Sequence, residues 1–121
     1  MKDKELDMNE AITNLLEEIK KDYLQWTQRC AYARGNEELT EINHNMIAEF
    51  NEGLHYEEGR KYIKVITGGS VWGFVMKADD AKFKAGDILK AAGWAAPARN
   101  KARGNVFNDL TWVNWTGPAY L

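Results

Sequence analysis

The chain has 121 residues, 45% hydrophobic and 28% charged, with a net charge of −2, the balance of one globular domain with a single modest core. No apolar run approaches the roughly 20 residues of a membrane helix, and the charged residues 1–5 have no signal-peptide core behind them, so a soluble cytoplasmic protein with no membrane partner is expected. The single cysteine, Cys30, excludes an internal disulfide and suits a reducing compartment.

The first element is a helix from near Asp7 to a stop at Gly35. Ile12, Leu16, Ile19, Tyr23, Trp26 and Cys30 step alternately by four and three, the seam spacing of a heptad. About 25 residues at about 1.5 Å each span nearly 40 Å, more than so small a core covers. Part of the seam is therefore expected to meet a copy of itself in a homodimer; a stripe packed wholly on its own sheet is the alternative. A second helix is predicted from an N-cap at Asn36, with Glu37 and Glu38 suiting its positive end. Leu39, Ile42, Met46 and Phe50 line one face, and Gly53 closes it.

From Arg60 the period changes to two. Residues 61–66 read as a strand, Gly68-Gly69 as a hairpin turn and residues 71–76 as the returning strand. Strict alternation places Trp72, Phe74 and Met76 on one face of that strand. A short strand over residues 88–92, a helical turn over 98–103 and a last extended segment over 110–115 complete the chain. Two helices followed by consecutive strands predict an α+β fold with a small antiparallel sheet. It forms one domain over 1–121, with a helical arm at 1–53 and a β-rich region at 54–121.

The charge is unevenly divided. Residues 1–60 carry seven Lys/Arg against fourteen Asp/Glu, and residues 61–121 carry nine against four. The basic half suits either the acidic half or an anionic ligand. Five tryptophans exceed what so short a core usually needs, and large aromatics are favoured where ligands bind.

Catalytic and metal-binding signatures are missing. His44 and His55 have no ligand spacing, Cys30 has no partner for a metal site, and there is no phosphate loop or nucleophile elbow. Asp79, Asp80 and Asp87 stand in turns near Lys82, Lys84 and Lys90, where backbone hydrogen bonding accounts for acidic residues. Neither an enzyme nor a cofactor is predicted.

The segment 97–105 is more informative. On a helical turn, Arg99 and Arg103 would share one side and suit phosphate capture. Asn100 and Asn105 add amides for a base edge, and Trp94, Phe107, Trp112 and Trp115 offer faces for stacking. Together these features favour a nucleotide-type ligand. The alternative is that the arginines pair with the acidic half and the aromatics fill the core.

Residues 61–65, Ser70-Val71-Trp72-Gly73-Phe74-Val75, Gly86-Asp87-Ile88-Leu89-Lys90, Trp94-Ala95-Ala96-Pro97-Ala98 and Ala102-Arg103-Gly104-Asn105 together resemble a family of short phage proteins, the first-described anti-Thoeris family. The likeness covers roughly residues 58–121, and the helical arm agrees in length and placement. It implies a viral anti-defence sponge in the cytoplasm of the infected bacterial host. Such a sponge binds glycocyclic ADP-ribose, a signal made by a TIR-domain enzyme, without degrading it. Family members form dimers that build hexamers, and some also capture cyclic trinucleotides at a separate site. On this reading Trp72, Phe74 and Met76 hold the base and ribose, and Arg99 and Arg103, with Asn100 and Asn105, hold phosphate, either in that pocket or in the second, cyclic-oligonucleotide site. Arg29 and Arg34 reach in from the neighbouring subunit. The competing expectations are a phage accessory protein that binds nucleic acid through its basic half, an enzyme that cleaves the signal, and a protein–protein inhibitor.

Overall fold

The computed structural model describes residues 7–35, 38–110 and 112–118. Helix α1 (Met8–Ala33) starts where the sequence places it. Asp7 is the N-cap, its carboxylate accepting from the Glu10 amide at 2.8 Å while Glu10 accepts from the Asp7 amide at 3.2 Å, so two otherwise orphaned donors are satisfied. Its buried face is Ala11, Ile12, Leu15, Ile19, Tyr23, Thr27 and Ala31. Of the predicted seam, Ile12, Ile19 and half-buried Leu16 pack into the protein's own core, and Tyr23 is buried. That part of the helix is therefore unavailable to a second chain. Half-buried Trp26 also packs within the chain, its ring 5.7 Å from that of Tyr23 and 5.0 Å from that of Trp115, and half-buried Cys30 follows it.

Helix α2 (Glu41–Gly53) begins later than predicted. Thr40 is its N-cap, with its hydroxyl accepting from the Asn43 amide at 3.2 Å and Asn43 accepting in return from the Thr40 amide at 3.0 Å. Leu39 precedes the helix, and the expected cap at Asn36 and its neighbour Glu37 lie outside the described residues. No residue of α2 is buried. Its anchor is Phe50, stacked on Tyr23 with ring centroids 4.0 Å apart and edge-on to Trp115 at 5.9 Å.

Five strands follow: β1 (Leu54–Glu58), β2 (Tyr62–Thr67), β3 (Ser70–Met76), β4 (Asp87–Lys90) and β5 (Gly104–Asn105). They form one antiparallel sheet in chain order, so the fold is α+β as the sequence indicates. Gly68, at φ 61°, makes the β2–β3 turn, a left-handed conformation that glycine adopts without a Cβ penalty. Its amide donates to Gly53 O at 2.9 Å, tying the turn to the end of α2.

The expectation that Trp72, Phe74 and Met76 share a face needs correcting. Val65 pairs with Gly73 but Ile66 pairs with Val71, so Trp72 is the extra residue of a β-bulge and the alternation reverses there. Trp72 and Val75 join the core beneath α1, with Ile63, Val65, Ile88 and the C-terminal residues Val106, Leu110 and Val113. Phe74 and Met76 face the other way, into a second cluster with Phe83 and Leu89.

Two further expectations are overturned. Residues 98–103 form no helical turn. The Ala98 amide donates to Lys90 O and the Arg103 amide to Ile88 O, both at 2.7 Å, which holds the segment alongside β4. Residues 110–115 form no strand among the described positions, only an isolated bridge between Asn114 and Gly117. Their polar groups are satisfied elsewhere: Asn114 O accepts from the Trp72 indole at 2.7 Å, and the Trp115 amide donates to Asp22 at 2.9 Å.

Candidate functional site

The sheet has two unlike faces. One lies under α1 and is filled by the main core. The other is only partly covered, by the segments after β3 and β4 that contribute Phe83, Ala91 and Ala102. On this second face, at the β1–β2 end, lies a cleft of about 300 Å³, the lower end of the size range of small-ligand pockets. Tyr62, Lys64 and Phe74 line it from β2 and β3, Glu57 and Glu58 from the end of β1, residues 59–61 from the β1–β2 turn, and Ala95 from the loop after β4. The turn is held by Lys77, whose ammonium donates to Gly59 O at 3.0 Å and pairs with Glu58 at 2.6 Å.

The loop after β4 places an indole beside the cleft. The bridge between Ala91 and Pro97 closes the loop at its base, and the Ala92 amide donates to Ala96 O at 3.0 Å. Trp94, at its tip, is 55% exposed. The ammonium of Lys64 lies over its ring, 4.6 Å from the centroid. Lys61 is paired with Asp80 at 3.4 Å. Arg60 and Lys64 have no carboxylate within ion-pair distance among the described residues, and Glu57, across the strands from Lys64, instead approaches His55 at 3.8 Å. The cleft is thus lined by Arg60 and Lys64, neither ion-paired among the described residues, together with the carboxylates of Glu57 and Glu58, and the Lys64 ammonium reaches from it to an exposed aromatic face.

Arg99 does not present a free fork to this cleft. Its guanidinium donates to Tyr62 Oη and to Asp80, each at 2.6 Å, and rests 4.8 Å over the Phe83 ring. Lys82 also donates to the Arg99 carbonyl. Asp80 accepts from the Phe83 and Lys82 amides at 2.7 and 2.8 Å. These amide bonds, followed by the Arg99 bond, hold its carboxyl well below the usual carboxylate range. The Asp80 bond, then that to Tyr62, pushes the Arg99 guanidinium up. This network holds the Tyr62 side chain and ties the segments around Asp80 and Arg99 to β2.

The other expected site residues are dispersed. Trp72, Phe74 and Met76 are 3%, 2% and 1% exposed; their side chains fill the two core clusters, and only the edge of Phe74 reaches the cleft. Asn105 is committed to the fold: its amide donates to Ala85 O and Asp87 at 3.0 Å each, and its carbonyl accepts from the Phe107 amide at 2.9 Å. Asn100 accepts from Arg103 at 3.3 Å, and the buried Nε of Arg103 has no hydrogen-bond partner among the described residues. With the helical turn absent, the spacing that would set Arg99 and Arg103 on one side does not apply. The turn acids do serve the backbone as expected, Asp79 accepting from Ala85 at 2.7 Å and Asp87 from Lys84 at 2.9 Å.

Arg29 lines a larger hollow of about 1000 Å³ where α1 and α2 diverge, together with Glu38, His44, Tyr32 and two glutamines. Arg34 caps α1 at its C-terminus. Among the described residues the hollow is lined by one guanidinium and one carboxylate, the smaller cleft by three cationic and two carboxylate side chains. Among the described residues no group of three or more His, Cys, Asp or Glu is placed to hold a metal ion, and no helix is long and apolar enough to cross a membrane.

The sequence pointed to Trp94 as a stacking residue but did not pair it with Lys64. Strand alternation sets Tyr62 and Lys64 on one face of β2, but no signal in the sequence brings the Trp94 loop to them. Neither a curated protein nor a solved structure matches the chain. A family model does match, over residues 1–120, and the chain belongs to that family, described as a family of unknown function (DUF7717).

Proposed function

We propose that the protein binds a small nucleotide-type ligand in the sheet-face cleft and holds it without chemical change. The observation that carries this reading is a cleft lined by Arg60 and Lys64, neither ion-paired among the described residues, with the Lys64 ammonium over the exposed indole of Trp94. A base wants an aromatic face and a phosphate wants unpaired cations; the cleft offers the cations and the indole next to Lys64 offers the face. Holding a ligand intact needs binding groups alone, with no interaction reserved for a transition state.

The specific form of this proposal is the one implied by the anti-Thoeris resemblance. The ligand is then glycocyclic ADP-ribose, bound and sequestered in the infected bacterial host, with cyclic trinucleotides as a second class and a homodimer as the working unit. The ligand-contacting residues move from Trp72, Met76 and Arg99 to Trp94, Lys64, Arg60 and Tyr62.

Calorimetric titration with AMP, ADP-ribose, glycocyclic ADP-ribose and a cyclic trinucleotide tests this reading, followed by heat release and chromatography of the ligand. Saturable binding with the ligand recovered intact supports it. Binding confined to long nucleic acid, with affinity falling steeply with salt, would replace it with the nucleic-acid reading. A converted product would make the protein an enzyme.

A further inference from the structure

We infer that Lys64 sets the specificity of the cleft, by covering the Trp94 face until a ligand brings both a ring and an anion. The inference rests on the proposed reading of the cleft and adds which ligands it admits. Lys64 is half-buried on β2, between Glu57 of β1 and Phe74 of β3. It lines the cleft, whereas its ammonium lies over the Trp94 ring at 4.6 Å. The Lys64 side chain thus links the cleft, which it lines, to an indole outside the lining, whose face its ammonium covers. No carboxylate holds the ammonium there: Glu57 approaches His55 instead, and Lys64 has no ion pair among the described residues.

The consequence is an exchange of partners. A neutral ring entering the cleft displaces the ammonium from the indole and returns nothing to it. An ammonium–aromatic contact at a partly exposed site corresponds to a factor of about two to five in an equilibrium constant, and a neutral ring gives up that factor. A ring carrying a phosphate gives the displaced ammonium a charge-assisted hydrogen bond, which is stronger than the contact it lost. The cleft then discriminates against nucleosides as well as in favour of nucleotides.

Adenosine and AMP are the probes, measured by calorimetry against the wild type, Lys64→Met and Lys64→Arg, with a thermal melt of each. Methionine keeps the apolar stem and removes the charge; arginine keeps the charge and stacks on the indole. In Lys64→Met adenosine should bind about two to five times more tightly than in the wild type, and AMP more weakly. Lys64→Arg should keep the wild-type order, AMP well ahead of adenosine. A Lys64→Met protein that binds adenosine no better than the wild type, or weakens both ligands equally, overturns the inference. A wild-type protein that binds neither probe overturns the reading of the cleft itself, and the inference with it. Those two failures are told apart by the wild-type titration alone.

Discussion

Replacing Phe50 with alanine should release α2 while leaving the sheet folded. A 13-residue helix without a buried residue does not hold itself together in water, since isolated helices of that length are marginal. Its N-terminal capping box contributes about 1 kcal/mol. The rest comes from Phe50, stacked on Tyr23 at 4.0 Å and edge-on to Trp115 at 5.9 Å, and from the Gly53–Gly68 hydrogen bond at its far end. Two aromatic pairs at about 0.5–1.5 kcal/mol each give about 1–3 kcal/mol. Burial of a half-covered phenyl adds about 1 kcal/mol, so the substitution removes about 2–4 kcal/mol in all. That is a fall of about 30- to 800-fold in the protection of α2 amides against hydrogen exchange. Native-state exchange read residue by residue is the assay. Amides of residues 45–53 should exchange through local opening, whereas those of β2 and β3 stay protected. Unchanged protection in α2, or loss of α2 and sheet in one step, would refute the view that a single ring anchors this helix.

Other outcomes follow from the same structure. Phe74→Ala, at a side chain 2% exposed, should cost about 3–5 kcal/mol, whereas Trp94→Ala should change stability by no more than about 1 kcal/mol, its Lys64 contact being the part lost; urea unfolding of the two variants separates core from site. The depressed Asp80 carboxyl stabilises the fold fully above about pH 5. That contribution fades as pH falls through the unfolded value of about 3.9 towards the lower folded one. Urea midpoints between pH 6 and pH 2 should therefore fall less steeply in Asp80→Asn than in the wild type, with the mutant less stable at pH 6; parallel slopes would contradict the assignment.

Much of the fold was legible because it is written in local periodicity. The Asp7 cap, the stripe from Ile12 to Tyr23 and the Gly68-Gly69 hairpin each carry their own signal. Strand β1 escaped because its exposed residues are His55, Glu57 and Glu58, so an edge strand reads as a polar loop. Trp72 was placed on the wrong face because a bulge leaves no mark in the alternation of residues 71–76. Arg99 and Arg103 looked like a phosphate clamp because the helical spacing was assumed. The hydrogen bonds of residues 98 and 103 to β4 depend on tertiary pairing, which residue spacing does not encode. The candidate site was legible only in its ingredients, tryptophan and basic residues, because the fold brings together Lys64 on β2 and Trp94 on a loop, 30 residues apart in sequence.

The measurement that tests the central claim most directly is an NMR titration of the labelled protein with glycocyclic ADP-ribose and, in parallel, ADP-ribose. The account predicts saturable shifts at the Trp94 indole N–H and at the amides of residues 59–64, with the Trp72 indole unmoved in its bond to Asn114. Spectra unmoved by both ligands, or shifts confined to residues 25–32 and His44 in the hollow between the helices, would contradict it.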